Sequence, residues 1–388
     1  MPDAGSAHSA LDGVLVADFS RVLAGPYATM LLADLGADVI KVERPGGGDD
    51  TRAWGPPWSD AGESTYFLGV NRGKRSLALD LGTADGRGHA LELARRADVV
   101  VENLKPGGMA AFGLGYFDVC AVNPSVVYLS ITGFGSGAGA DLPGYDLLVQ
   151  AVGGLMSVTG PEPGAPTKVG VALVDVITGL HAVIGVQAAL RHRERTGEGQ
   201  LVEVNLLSSL LSALVNQASG YVVAGVVPQI MGNRHPSIAP YETVQAADKP
   251  LVLAVGNDRQ FRALCTVLGQ PQLADDPRFA TNPGRVAHRD ELSAALAGPL
   301  AGRSADTWFA DLTAAGVPCG PINDVAAAVL LAESLGLSPV VDAGGVPTVA
   351  DPITLSATPV RYERRPPAVG AHSAELLAWL GSSDGGRP

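Results

Sequence analysis

Cysteine is scarce in this sequence, and the few cysteines present are not spaced like metal ligands or redox pairs. Cys120, Cys265 and Cys319 are the only three in 388 residues, and they lie far apart. A disulfide framework needs paired cysteines, and zinc sites and redox motifs place two of them within a few residues. The sequence therefore predicts free thiols in a reducing compartment and no metal site.

Positive charge is also in short supply. The chain has 27 Lys and Arg against 39 Asp and Glu, a formal net charge of −12. Nucleic acids and anionic membranes attract proteins through excess positive charge, so neither is expected as a main partner. The opening residues "MPDAGSAHSALDG" lack the basic and apolar regions of a signal peptide. Together with the free thiols, this predicts a cytoplasmic protein.

Long apolar runs are few, and the most apolar of them, residues 169–190 ("VGVALVDVITGLHAVIGVQAAL"), is interrupted by polar groups. It contains Asp175, Thr178, His181 and Gln187, together with three glycines. About 20 apolar residues can span a bilayer, but a span tolerates polar groups poorly. A buried core segment is the better interpretation.

Apolar segments of strand length alternate with helical ones through the first part of the chain. Strands are predicted at "VLVADF", "DVIKVER", "RSLALDL", "DVVVEN" and "PSVVYLSIT", with helices at "YATMLLADLGA" and "ADGRGHALELARRA". Such alternation predicts an α/β fold with a doubly wound, mostly parallel, Rossmann-like sheet. We expect a large domain over residues 1–225, helix-rich from 169 onward, and a smaller α+β domain over 226–325. Residues 326–388 are expected to return to the large domain.

Ligands of such sheets bind beyond the carboxyl ends of the strands. Here these ends fall at residues 18–25, 44–52, 103–108 and 132–146. The glycine-rich stretch "GFGSGAGADLPGYD" is interpreted as a loop rather than a nicotinamide site, because no helix opens at its last small residue. Several basic residues, which are either an anion-binding patch or ordinary surface residues, lie near predicted strand ends: Arg44, Arg52, Lys74, Arg75 and Lys105.

Asp175 stands out because an ionised group in an apolar run is costly unless something stabilises it. The run before it is extended in character and the run after it is helical, so Asp175 is predicted at the helix N-terminus, as the N-cap or one position away. The helix dipole stabilises an anion there by about 0.3–2 kcal/mol. Asp175 is therefore either a simple helix cap or a poorly hydrated nucleophile.

Several segments in order, among them "LADLGADVIKVERPGGGDDTR", "NRGKRSLALDL", "DVVVENLKPGG", "GYDLLVQAVGGLMSVTG" and "RTGEGQ", resemble the class III CoA-transferases of the CaiB/BaiF type. The resemblance extends from Leu11 to Glu375, and the family includes α-methylacyl-CoA racemases. It implies an acyl-CoA:carboxylate CoA-transferase that uses coenzyme A as acyl-CoA substrate. Asp175 would attack the thioester, giving a mixed anhydride and then an aspartyl-CoA thioester. The resemblance also implies a homodimer of two interlocked, ring-like subunits.

The resemblance assigns a CoA channel to Val22, Arg44, Leu79, Asn103, Leu104 and Gly108, with Arg44 and Lys74 near the adenosine phosphate end. Leu23 stands where the oxalate-using branch has a polar glutamine, which predicts an acyl group less polar than oxalyl. Ala111 replaces an arginine found in many relatives, and Lys105 is the candidate substitute. Candidate oxyanion donors are the backbone N–H groups of Gly144, Gly153 and Gly154.

Tyr145 distinguishes the two branches of the family. Racemases carry a histidine there as an acid/base, whereas a phenol, with an ordinary pKa near 10, exchanges protons poorly at neutral pH. Tyr145 is thus either a contact for the acyl group or the CoA thiol end, or a packed aromatic.

The alternatives to a transferase are an α-methylacyl-CoA racemase or epimerase and a non-catalytic CoA-thioester binding protein. The loop at residues 231–242 is a hypothetical lid.

Overall fold

Short, buried, valine-rich segments form the central sheet of the protein. A computed structural model describes residues 9–382. Six strands form this sheet: β1 (Leu15–Asp18), β2 (Asp38–Glu43), β3 (Lys74–Ala78), β4 (Val99–Glu102), β5 (Val127–Thr132) and β6 (Gln200–Asn205). Their order is β3-β2-β1-β4-β5-β6, and every neighbouring pair is parallel. This order reverses direction between β1 and β4, so the predicted doubly wound parallel sheet is confirmed.

The sixth strand lies within the segment after residue 169 that was expected to be helix-rich, and it was not predicted. Residues 200–205 pair with all six residues of β5, at the edge of the sheet. The segment "QLVEVN" mixes polar and apolar side chains, and all six residues are partly or largely exposed. The strand was missed because it is short, follows a charged turn, and lies between the apolar helices at Leu173–Thr196 and Leu206–Ala213, which dominate the composition of the region.

Helices cover both faces of the sheet. The helices are α1 (Ala24–Asp34), α2 (Thr65–Leu68), α3 (Ala84–Arg96), α4 (Tyr116–Val122), α5 (Asp146–Val152), α6 (Leu155–Val158), α7 (Leu173–Thr196), α8 (Leu206–Ala213) and α9 (Val215–Ala224). One core lies between the sheet and α1, α5, α7 and α8. A second core lies on the opposite face, against α3, α4 and a last helix at Ser373–Gly381. Both faces of the sheet are therefore buried, as parallel sheets require.

The long helix α7 runs along the first of these cores. Its buried side chains Val174, Thr178, Ala182, Val186 and Ala189 recur every three or four residues and so lie on one face. With a mean hydropathy of 1.7 over 18 residues, it is long and apolar enough to cross a membrane. However, it packs against α1, α5, α8, β5 and β6, as a core helix does.

The chain divides into two compact units. The described part of the larger unit comprises residues 9–155, 169–226 and 338–382, and the smaller unit comprises residues 156–168 and 227–337. The smaller unit contains an antiparallel sheet of β7 (Tyr241–Gln245), β8 (Pro250–Ala254) and β9 (Cys319–Pro321). Its helices are α10 (Asp258–Val267), α11 (Asn282–Ala287), α12 (Arg289–Leu300), α13 (Ala305–Ala314) and α14 (Val325–Ser334).

The larger unit is completed by a short hairpin, β10 (Val340–Asp342) and β11 (Pro347–Val349), and by α15 (Ser373–Gly381). Helix α15 packs against α3 and β3. Leu376 and Leu380 bury its apolar side in the second core. The C-terminal segment is thus part of the same core as the first strands.

Candidate active site

The loop that joins β1 to α1 is held in place by side chains from neighbouring strands. The Asn103 amide accepts a hydrogen bond from the Arg21 N–H (2.9 Å) and donates one to the Arg21 carbonyl (2.7 Å). Val22 has a φ of 71°, a left-handed conformation that β-branched residues rarely adopt. Its N–H donates to both oxygens of Asp49 at 3.3 Å. Such strain persists only where the surroundings fix it, and it is common at functional sites.

A buried ionic network lies behind this loop. Lys41 pairs with Asp49 (2.9 Å) and Lys74 with Asp18 (3.1 Å), and all four side chains are at most 1% exposed. Burial would raise the pKa of Asp18, but the attraction of Lys74 and Lys41 outweighs it, and the pKa lies below its ordinary value. The pKa of Asp49 is lowered in the same way, mainly by Lys41. These carboxylates are therefore ionised structural groups.

Two cavities open along the carboxyl edge of the sheet. Their volumes are about 350 Å³ and about 370 Å³. Both are lined by Arg21, Asp50 and Leu104, so they adjoin one another. A ligand longer than either cavity can thus lie along this edge.

Most of the residues singled out from the sequence line these cavities. The first is lined by Arg44, Leu79 and Leu104. The second is lined by Val22, Leu23, Asn103, Leu104, Lys105, Tyr145 and Asp175. The structure thus brings together residues from four separate segments, at 22, 44, 79 and 103–104, that the family resemblance had assigned to one channel.

Lys74 and Arg75 are exceptions, because they line neither cavity and are paired with carboxylates. The Lys74 ammonium is fully buried and donates to Asp18, to the Pro26 carbonyl (2.9 Å) and to Asn71 (2.9 Å). All three of its hydrogens are used, so none remains for a phosphate. The Arg75 side chain is 5% exposed and pairs with Asp38 and Glu375. The sequence showed the positive charges but not the carboxylates that neutralise them.

Gly108 also lines neither cavity. Its N–H donates to the Lys105 carbonyl at 2.8 Å, which closes the turn after β4. A Cβ atom at this position would lie 2.9 Å from that carbonyl oxygen and 3.0 Å from the Leu104 Cβ. Gly108 therefore shapes the turn that places Leu104 and Lys105 at the cavity.

Two exposed arginines share one carboxylate where the cavities meet. Arg44 forms an ion pair with Asp50, and Arg21 contacts the other oxygen of Asp50 at 3.4 Å. The arginine side chains are 63% and 55% exposed. Exposed guanidinium groups in loose pairs can rearrange to bind a phosphate or a carboxylate.

Asp175 lies in the first turn of α7. The helix begins at Leu173 and its N-cap residue is Ala172, so Asp175 is the third helical residue and not the predicted cap or its neighbour. Its side chain reaches the second cavity and is half-buried. Burial, and secondly the negative charge of Asp146, raise the pKa of Asp175 to about 7. A carboxyl group with this pKa is a strong candidate for chemistry.

Asp146 and Gln150 connect helix α5 to the start of α7. An Asp146 oxygen accepts hydrogen bonds from the Val174 N–H (2.8 Å) and the Asp175 N–H (3.3 Å). The Gln150 amide donates to the other Asp146 oxygen at 2.6 Å. The sequence analysis did not single out either residue, since the contacts of Asp146 with α7 join positions 28 and 29 residues apart in the chain.

Only one of the three proposed oxyanion donors lies at the cavity. Gly144 lines it, whereas the Gly153 N–H donates to the Val149 carbonyl within its own helix. Neither Gly153 nor Gly154 lines this cavity. The backbone at Gly144 packs directly against Gly133, where an added Cβ would lie 2.6 Å from the Gly133 Cα.

Two aromatic side chains, Tyr145 and Trp54, line the same cavity, and a third, Tyr66, packs against Trp54. Tyr145 is 64% exposed, so it is not a packed core aromatic. Trp54 lines the cavity and meets Tyr66 edge to face, with ring centroids 5.3 Å apart. Burial and the charges of Asp175 and Asp146 raise the pKa of Tyr66 to about 12. Trp54 and Tyr66 were missed from the sequence, although the loop after β2 was expected to face the ligand.

The hypothetical lid belongs to the smaller unit, where several hydrogen bonds fix it. Arg289 donates to the carbonyls of His235 (2.7 Å) and Pro236 (3.0 Å). The Asn282 amide donates to the Ser237 carbonyl (2.9 Å) and accepts from the Ala239 N–H (3.2 Å). Movement of this loop would break these bonds, so the geometry does not favour a lid.

Comparison with known proteins places the whole chain among CoA-transferases. The family model for CoA-transferase family III matches residues 11–373. The chain is 46% identical, over 389 residues, to the succinate–glutarate CoA-transferase of Agrobacterium fabrum, with 95% of each chain covered. It is 43% identical, over 355 residues, to the acetyl-CoA:oxalate CoA-transferase of Acetobacter aceti, with 91% of each chain covered.

A solved structure agrees with this result. The crystal structure of a CaiB/BaiF family protein from Brucella suis matches with a TM-score of 0.87 and 45% sequence identity. The match covers 96% of this chain and 100% of that one. The similarity therefore includes both units of the fold.

Proposed function

The chain belongs to CoA-transferase family III, and from this membership we propose that its CoA-transferase reaction proceeds through a covalent intermediate on Asp175. The observation that carries this proposal is a carboxyl group that lies at a cavity and is not paired with a cation. Among the described residues no lysine or arginine forms an ion pair with Asp175, and the charge that acts on its pKa is the like charge of Asp146. A carboxylate that is poorly solvated and relatively basic is a good nucleophile.

The first half of the reaction moves CoA onto the enzyme. An Asp175 oxygen attacks the thioester carbon, the carbon–sulfur bond breaks, and the CoA thiolate leaves as an aspartyl–acyl anhydride forms. The thiolate then attacks the aspartyl carbonyl carbon, which releases the donor acid as its carboxylate and leaves an aspartyl-CoA thioester. Covalent catalysis of this kind conserves the energy of the thioester, provided that water is excluded.

The second half repeats these steps in reverse order with the acceptor. The acceptor carboxylate attacks the aspartyl thioester carbon and displaces the CoA thiolate, which gives a second anhydride. The thiolate attacks the acceptor's carbonyl carbon, the bond to the Asp175 oxygen breaks, and the new acyl-CoA leaves. Asp175 is regenerated as a carboxylate, so no net proton or electron is consumed.

We assign the two adjoining cavities to the two ends of CoA. The first cavity has an exposed arginine, Arg44, beside the apolar side chains of Leu79 and Phe112, which suits a phosphate next to an adenine ring. The second contains Asp175 and suits the thiol end. Arg21 and Leu104, which line both cavities, would lie along the connecting pantetheine arm.

We propose short dicarboxylates as the acids exchanged. The names of the two similar enzymes refer to succinate, glutarate and oxalate, each of which carries a second carboxylate that does not react. Arg21 and Lys105 line the second cavity and can bind that group. Leu23 is buried among Met30, Leu31 and Val70, so this part of the wall is apolar. This favours succinyl or glutaryl groups over oxalyl.

The racemase alternative receives no support from the site. The exposed ring at the cavity is a phenol, Tyr145, and the similar proteins of known activity are named as transferases. The alternative of a non-catalytic binding protein is likewise disfavoured by those names.

The experiment that tests the proposal is trapping of the enzyme-bound thioester. Incubated with succinyl-CoA alone, the wild-type protein should gain the mass of CoA minus water, and hydroxylamine should convert Asp175 to a hydroxamate. Asp175→Asn should lose at least about 10⁴-fold in kcat with succinyl-CoA and glutarate, and should form neither adduct. Full activity of Asp175→Asn, or an adduct on another residue, would rule out the mechanism.

We also propose that the protein is a cytoplasmic homodimer. Free Cys120, Cys265 and Cys319 are consistent with a reducing compartment. Helices α8 and α9 expose a row of large apolar side chains, Leu211, Val215, Tyr221, Val222 and Val223, each between 48% and 84% exposed. Apolar surface of this extent usually marks a protein interface. A mass in solution near 39.6 kDa, that of one chain, would contradict the dimer.

A further inference from the structure

The first turn of α7 is capped by a residue from a different helix. Ala172, at the N-cap position, has no side chain that could accept a hydrogen bond from the free N–H groups of the turn. Asp146, the first residue of α5, accepts from the Val174 N–H at 2.8 Å and the Asp175 N–H at 3.3 Å. The position of Asp175 therefore depends on a carboxylate 29 residues earlier in the chain.

Asp146 is itself fixed from behind. The fully buried Gln150 donates to it at 2.6 Å and accepts a hydrogen bond from the Val169 N–H at 2.9 Å. Gln150 thus links α5, the segment that leads into α7, and the carboxylate that caps α7. A cap held in this way loses little entropy when it forms its own hydrogen bonds.

Asp146 also changes the charge around Asp175. It takes the helix N–H groups that would otherwise stabilise an Asp175 anion, and it adds a like charge beside it. Both effects disfavour the ionised form of Asp175, and Asp146 is the second cause, after burial, of its raised pKa. Once formed, the Asp175 anion is more basic and hence more nucleophilic.

We propose that Asp146 is the positioning residue of the reaction: it fixes the first turn of α7 and sets the reactivity of the Asp175 carboxylate through its charge. The inference rests on the proposed nucleophilic role of Asp175. Asp146 itself touches no reacting atom. It acts through the backbone and the electrostatic field of the residue that does.

Other titratable and charged groups near Asp175 could affect its ionisation. Those that line the same cavity are Arg21, Asp50, Lys105, Asp141 and Tyr145. Tyr66 is electrostatically linked to Asp175, and α1, which packs along α7, contributes Tyr27. Glu203 lies on the neighbouring strand β6 and is bonded to Ser136. Only Asp146 is bonded to the backbone of Asp175 itself.

The test separates the charge of Asp146 from its geometry. Asp146→Asn and Asp146→Ser keep a group that can accept from the backbone but remove the charge. With succinyl-CoA and glutarate, the acid limb of kcat/KM, which follows ionisation of Asp175, should move about one pH unit lower. Gln150→Met keeps the charge but loosens the cap, so kcat should fall about 10-fold or more while the acid limb stays in place.

The control is Asp324→Asn in the smaller unit, where an exposed carboxylate caps α14 through the Ala327 N–H at 2.8 Å. It should change neither kcat nor the acid limb. Circular dichroism and thermal melting identify which of the two Asp146 variants folds. An unmoved acid limb in whichever variant folds would overturn the inference.

The Asp175→Asn experiment separates this inference from the proposed function. If Asp175→Asn is inactive and the Asp146 variants keep the wild-type acid limb, the nucleophile assignment stands and the role of Asp146 fails. If Asp175→Asn remains active, both fail. If Asp175→Asn is inactive and the acid limb moves to lower pH, both are supported.

Discussion

Asp18 and Asp175 are both acidic side chains near the carboxyl edge of the sheet, but their surroundings affect them in opposite ways. Asp18 is completely buried, yet Lys74 and Lys41 hold its pKa below the ordinary value. Asp175 is half-buried, and its burial, together with the like charge of Asp146, raises its pKa to about 7. Burial alone would raise both pKa values, so the opposite directions of the two shifts come from the sign of the neighbouring charge.

The opposite pKa shifts of Asp18 and Asp175 reflect two kinds of surroundings within the site. In the buried network, Lys74 pairs with Asp18 and Lys41 pairs with Asp49, and the opposite charges stabilise each other. Asp49 in turn holds the strained loop by accepting a hydrogen bond from the Val22 N–H. Among the described residues no cation pairs with Asp175, so its ionised form is not compensated and costs stability. A rigid ionic support thus lies beside an uncompensated acid.

Removing a cation from the network should have the largest effect on stability. Lys74→Met keeps the length of the side chain but leaves Asp18 with Lys41 as its only cation. Breaking one side of a buried ion pair costs about 3–5 kcal/mol, which urea unfolding would measure as a lower midpoint. The KM for the acyl-CoA should stay within about threefold of wild type in the fraction that folds, because Lys74 has no free donor.

The matched control is Lys249→Met, which breaks an exposed pair with Asp306. Its cost should be below about 1 kcal/mol. If Lys74→Met were as stable as this control and raised the KM for acyl-CoA, then Lys74 would be a phosphate ligand after all. Lys74 would then not serve mainly to neutralise Asp18, and the contrast between Asp18 and Asp175 would be wrong.

Removing the uncompensated acid should have a smaller and opposite effect. The pKa of Asp175 is about 7 in the folded protein and near 3.8 when unfolded. Between these values the folded state holds a proton that the unfolded state has lost, so this carboxyl group lowers stability as the pH rises from about 4 to about 7. Asp175→Asn should therefore be more stable than wild type at pH 8, by about 1–4 kcal/mol.

Thermal or urea unfolding at pH 8 and at pH 5, without substrate, would check this difference. The gain should shrink toward the lower pH. Asp118→Asn changes an exposed carboxylate in the first turn of α4. Its free energy of unfolding should differ from that of wild type by the same small amount at pH 8 and at pH 5. A destabilised Asp175→Asn at pH 8 would mean that an unrecognised partner compensates Asp175.

The sequence predicted the sheet well because buried parallel strands are nearly continuous apolar runs. β1 and β4 are completely buried, and their neighbours are almost so. The edge strand β6 is half-exposed and lacks that signal. The alternation of strands and helices correctly predicted the first five strands of the doubly wound sheet, because the helices and strands there have typical lengths.

The site was only partly predictable. Asp175 could be found because it is a charge in an apolar run, whereas Tyr145 and Asn103 were assigned by the family resemblance and lie in the predicted strand-end segments. Lys74 could not be told from a ligand, since its partner Asp18 lies 56 residues away. The role of Asp146 depends on a hydrogen bond between two helices, and no local pattern reveals such a contact.

The close contact between Gly133 and Gly144 has a consequence for how this enzyme could change its substrate. A Cβ on either residue would lie within 2.6 Å of the other's Cα, so the two ends of the segment from 134 to 143 meet at a point that tolerates no side chain. Residues 140–143 of that segment line the cavity. The cavity-lining part of the loop can therefore vary, as surface loops commonly do, while the closed base keeps Tyr145 and Asp146 in register with the proposed nucleophile. Changes of acyl preference are therefore expected at residues 140–143, without rebuilding helix α7.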